Sequence, residues 1–62
     1  MTDPERFHLT LHLDGRPVLD GWWGDEATAR KKFREAVGDY GRDGARIALT
    51  DTETGEQLAS WP

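Results

Sequence analysis

Apolar and polar residues alternate through positions 6 to 13, "RFHLTLHL". Phe7, Leu9, Leu11 and Leu13 fall on one side, His8, Thr10 and His12 on the other. A period of two sustained this long predicts a half-buried strand. Asp14-Gly15 follows, a dipeptide suited to the positive φ angles of a tight hairpin, so "RPVLDGWW" is predicted to return antiparallel. Pro17 has no N–H for a ladder, which places it at the start of that strand or facing an open edge. From about Asp25 the period lengthens. On a 100° wheel centred on Phe33, the residues Ala29, Ala36, Val37 and Tyr40 lie within about 60°, the narrow apolar stripe of a helix resting on a sheet. Asp25 can cap the first turn and Glu26 adds favourable charge there. Glu26–Arg30 and Lys31–Glu35 have i,i+4 spacing, and Gly38 or Gly41 ends the helix.

After "GRDG", the alternation returns in "ARIALTD" and "EQLASWP", joined by a turn at "TETG", residues 52 to 55. A four-residue loop sets Leu49 opposite Leu58, Ala48 opposite Ala59 and Arg46 opposite Trp61. The order is ββαββ. It predicts an α+β fold, a four-stranded, mainly antiparallel sheet with one helix packed on one face. Residues 1–62 then form a single domain, with 1–5 as a flexible N-terminus.

Phe7, Leu9, Leu11, Ile47, Leu49 and Leu58 supply the covered face, and Phe33, Val37 and Tyr40 close it. Trp22 and Trp23 are adjacent, so only one of them can join that core. A three-residue hairpin turn turns Leu19 and Trp23 inward; a two- or four-residue turn selects Val18 and Trp22. The first arrangement is favoured, which leaves Trp22 on the opposite face with His8, Thr10, His12, Arg46, Ala48, Thr50, Ala59 and Trp61. Exposed apolar patches mark association sites, and Trp with Arg is common hot-spot chemistry. Trp22, Trp61, His8, His12 and Arg46 are therefore the candidate interface. A homodimer is the simplest occupant, since one patch then serves both subunits, and pairing along a strand edge is the other route.

Composition narrows the field. The chain has 62 residues, a formal charge of −4 and no cysteine. Disulfides and thiolate metal sites are thereby excluded. No apolar run approaches a membrane span, and "MTDPERF" lacks the features of a signal peptide, so the expected location is cytoplasmic. Net acidity opposes non-specific binding to nucleic acid. Arginine outnumbers lysine and Ala, Gly and Asp are frequent, an association with GC-rich genomes.

Little points to catalysis. His8 and His12 on one strand stand about 13 Å apart, too far to share an ion. The carboxylates lie mainly in turns and caps, namely Asp14, Asp25, Asp43, Asp51 and Glu53. Asp20 alone interrupts an apolar strand, facing Thr10 or marking a bulge. No glycine loop is arranged for phosphate. The reading is a non-enzymatic module with no cofactor and no metal. The alternative is nucleic-acid binding through "RKKFR", using Arg30, Lys31, Lys32 and Arg34, in which case binding weakens steeply with salt. Phe33 belongs to the core stripe, however, and the four cations spread around the solvent side of the helix.

The segments "W.GDEATARKKFREA" after a DG hairpin and "IALTDTETGEQLA" as a second hairpin resemble small ββαββ accessory proteins of phage and plasmid type from GC-rich bacteria. The resemblance covers most of the chain and implies a mobile-element accessory protein that acts by binding. It assigns no residue a role.

Overall fold

A computed structural model describes residues 5–62. The expectation of a flexible N-terminus falls, for residues 1–4, outside the described residues. Four strands and one helix follow in the order β1 (Phe7–Leu13), β2 (Arg16–Trp23), α1 (Glu26–Tyr40), β3 (Ala45–Asp51) and β4 (Glu56–Trp61). The strands form one sheet in the order β2-β1-β3-β4, every neighbour antiparallel. The two central strands carry the densest core, where Leu9, Leu11, Ile47 and Leu49 are fully buried. Helix α1 meets them through Ala29 and Ala36, with Phe33 and Val37 half-buried beside them. Alanines at the contact let the rod lie close to the sheet. Tyr40, expected to close the core, is exposed at the rim instead.

The helix begins as its sequence dictates. Asp25 has extended backbone, and its carboxylate accepts from the Thr28 N–H at 2.8 Å and the Thr28 hydroxyl at 2.9 Å. These two donors hold its carboxyl below the ordinary range. Gly41 ends the helix, its N–H donating to the Val37 carbonyl at 2.8 Å. Gly38 therefore lies inside α1, where a Cβ would meet nothing within 4 Å. Gly38→Ala is expected to stabilise the domain by about 0.5–1 kcal/mol, seen as a higher midpoint in thermal unfolding. Of the two expected ion pairs, Arg30–Glu26 forms at 2.7 Å. Glu35 is engaged by Lys32 at 3.6 Å rather than by Lys31, an i,i+3 contact reached from the same helix flank.

Both edge strands depart from simple alternation, and each departure moves a tryptophan. The β1–β2 turn has two residues, with positive φ at Asp14 (52°) and Gly15 (82°), and Leu13 pairs with Arg16. Continued without interruption, that register would turn Val18, Asp20 and Trp22 towards the helix. A bulge intervenes between Leu11 and His12, where β2 carries Val18 as an extra residue. Beyond it Leu11 faces Leu19, Leu9 faces Gly21 and Phe7 faces Trp23. Trp23 is inward, as favoured from sequence, but the cause is a bulge after a two-residue turn, not a three-residue turn. The bulge keeps the Asp20 carboxylate out of the core, where desolvation would cost several kcal/mol.

The second hairpin repeats the device. Its turn is the expected "TETG", closed by a bond from the Gly55 N–H to the Asp51 carbonyl at 2.7 Å. A bulge between Leu49 and Thr50 makes Leu58 the extra residue, so Leu49 faces Ala59, Ala48 faces Ser60 and Ile47 faces Trp61. The pairings Leu49–Leu58, Ala48–Ala59 and Arg46–Trp61 are thus each displaced by one. Trp61 shares the side of Ile47, and its indole lies against Gly41 at the helix end. Trp61 does not stand on the helix-free face. Removing it should therefore cost fold stability: Trp61→Ala is expected to lower it by about 2 kcal/mol, from lost apolar burial. Trp22→Ala should cost less than about 1 kcal/mol. Urea denaturation of the two variants checks the contrast.

Candidate interaction surface

The helix-free face is built by the even-numbered positions of β1 and β3. His8, Thr10 and His12 lie beside Thr50, Ala48 and Arg46 respectively. On the other side of β1, His8 faces Trp22, Thr10 faces Asp20 and His12 faces Pro17. Four of the five candidate interface residues, Trp22, His8, His12 and Arg46, therefore share this face. Trp61 is the exception, for the register reason given above, and the positions near it on this face are the polar Gln57 and Ser60.

At the β2 margin the side chains form a cluster. The His8 imidazole stacks on the Trp22 indole with centroids 3.9 Å apart and planes 7° from parallel. Its Nε2 lies 3.3 Å from an Asp20 carboxylate oxygen. A carboxylate beside an imidazole orients the ring, but hydrolytic chemistry also needs a nucleophile and donors aimed at developing charge. Here the ring is committed to an indole and the Asp20 side chain is largely exposed. The cluster holds Trp22 in place. Among the described residues no group of three or more His, Asp or Glu side chains is placed to hold a metal ion.

The surface that sequence reasoning missed lies on the other flank of β2. Leu9, Leu19, Gly21, Trp23, Ala36 and Tyr40 line a groove of about 210 Å3 between that strand and α1. Gly21 makes it possible. A Cβ there would stand 2.5 Å from the Trp23 ring, so the indole folds flat over a position without a side chain. On the solvent side of the groove stand Lys32, Glu35 and Asp39. The signal for the groove was present in "LDGWW". Once Asp20 is required to face outward, Leu19 and Trp23 must flank Gly21 on the helix side.

Among the described residues, the large apolar side chains left most exposed are Val18 (49%), Leu19 (43%), Trp22 (40%) and Tyr40 (38%). Three belong to β2 and the fourth lines its groove. Sticky surface is concentrated along this edge, on both flanks of one strand. A comparison with family models, curated proteins and solved structures returns no match to this chain.

The basic helix residues are dispersed. Arg30 is bound to Glu26 and Lys32 to Glu35, while Lys31 and Arg34 are exposed. No helix among the described residues is long and apolar enough to cross a membrane.

A second side-chain cluster is structural. Asp51 points to the helix side opposite Phe7 and is buried. Arg6 grips it with two parallel bonds, Nε to Oδ1 and Nη2 to Oδ2, each 2.7 Å. The Glu53 N–H donates to the same carboxylate at 3.0 Å. Across the same junction, the Thr52 N–H and hydroxyl donate to the Arg6 carbonyl at 2.9 and 2.6 Å. The Arg6 fork holds the Asp51 carboxyl below its ordinary range, against the opposing effect of burial.

Proposed function

We propose that this chain is a small, non-enzymatic protein-interaction module that self-associates, with the β2 margin as its contact surface. One observation carries the reading: among the described residues, the large exposed apolar side chains are not scattered but gathered on one edge strand and the groove beside it. Single exposed apolar residues are ordinary on any protein, whereas a contiguous set is characteristic of association surfaces. A chain of 62 residues buries a limited core, and burying this margin against a second copy would add to it. Trp22, braced by His8, is the aromatic anchor on one flank, and Leu19 with Tyr40 supplies the other.

Sedimentation from low micromolar to millimolar concentration tests this directly. The wild type should shift from monomer to dimer as concentration rises. Trp22→Ala should move that shift to higher concentration, by about 1–2 kcal/mol of association free energy. A wild type that sediments as a monomer throughout refutes the reading.

A further inference from the structure

Each sheet edge offers a row of backbone groups, but the two edges are not equivalent. In β4 the bulge at Leu58 falls in mid-strand, with Glu56 and Gln57 on one side and Ala59 to Trp61 on the other. Such interruptions guard an edge against pairing. In β2 Pro17 and the bulge at Val18 stand as close to the turn as the bulge of β4, but the strand is longer and a longer regular stretch follows. Leu19 to Trp23 then run regularly, flanked by exposed apolar side chains. This stretch is an unguarded edge.

We infer that β2 pairs antiparallel with β2 of a second copy, Gly21 against Gly21, joining the two sheets into one of eight strands. The inference rests on the self-association proposed above and adds the mode and the register. Three features favour this arrangement. A two-fold axis at Gly21 sets Leu19 opposite the second copy's Trp23, so the two grooves fuse along one apolar floor. On the helix-free face it sets Trp22 opposite the second copy's Asp20, an indole N–H donor beside a carboxylate acceptor. The α1 side of the groove carries charges of both signs, with Lys32 towards the helix start and Asp39 towards its end. A two-fold axis reverses one helix against the other, so the Lys32 end of one copy's groove lies towards the Asp39 end of the other's. The alternatives centred on Leu19 or Asp20 lack the Trp22–Asp20 pairing, and the latter sets two carboxylates against each other.

The helices do not obstruct the arrangement. Each lies over the central strands, so the two axes would stand roughly 19 Å apart, four strand spacings. Helices touch at about 8–10 Å, so the rods clear one another. A glycine at the centre also lets two backbones approach without side-chain hindrance.

Amide hydrogen exchange, followed by NMR at low and high protein concentration, tests the mode without altering the chain. Every second amide of Leu19–Trp23 points away from β1. Those amides should exchange at least tenfold more slowly when the dimer is populated, while the outward amides of β4 do not change. Leu19→Lys, checked for native spectra, should raise the dimer dissociation constant at least tenfold, and Gln57→Lys on β4 should leave it unchanged. A dimer whose β2 amides gain no protection, or in which Leu19→Lys and Gln57→Lys act alike, overturns strand pairing while leaving self-association intact. A protein that never dimerises removes both.

Discussion

Leu49→Ala is expected to remove most of the stability of this domain. Leu49 is fully buried at the centre of the sheet, facing Leu9 on one side and Ala59 on the other. Truncating such a residue costs about 2–5 kcal/mol, the lost transfer energy plus the cavity left behind. Stability near 0.05–0.15 kcal/mol per residue gives a chain of this length only roughly 3–9 kcal/mol in total. The urea midpoint should therefore fall to half its value or less, with the slope of the transition unchanged. Leu49→Met, which keeps the volume, should cost less than about 1.5 kcal/mol. Equal effects of the two substitutions would show that the site is not packed as described.

The second large effect concerns Asp51 and acid. Its carboxyl titrates below the ordinary range because Arg6 binds the charged form through two hydrogen bonds. A group whose folded value is depressed contributes stability above its unfolded value, near 3.9, and loses it as pH falls through the folded value. The wild type should thus be level in stability above about pH 5 and fall steadily below it. Asp25, held low by Thr28, contributes in the same window. Asp51→Asn should lower stability at neutral pH, since the Arg6 fork then faces a neutral amide. It should also flatten the acid decline, leaving the share that Asp25 supplies. Thermal unfolding across pH 3 to 7 measures both. An acid decline as steep in Asp51→Asn as in the wild type would contradict the fork.

The architecture was legible because its signals are local. Eight residues of alternation, a DG turn and a capped 3.6-residue period each declare an element within a few positions, and ββαββ follows. The tryptophans were harder. A bulge is selected by comparing two complete registers, and the comparison turns on which residues would be forced inside. For β2 the losing register buries Asp20. For β4 it faces Ser60 inward and leaves Trp61 outside. The first comparison was open to sequence reasoning through the oddly placed Asp20. The second had a weaker cue, because a serine turned inward costs far less than a carboxylate. Arg6 and Asp51 stand 45 positions apart, so no local pattern joins them. Yet the inward series Ala45, Ile47, Leu49 ends on Asp51, and a carboxylate completing an apolar face is itself a request for a cation.

The bulges at Val18 and Leu58 act as phase shifts in a two-beat pattern. Each edge strand is therefore read in two frames, one before its extra residue and one after it. Losing a single residue at either place would invert every later side chain of that strand. Ordinary substitutions there would leave the frame alone, so along these two strands the chain should accept exchanges of residues far more readily than changes in their number.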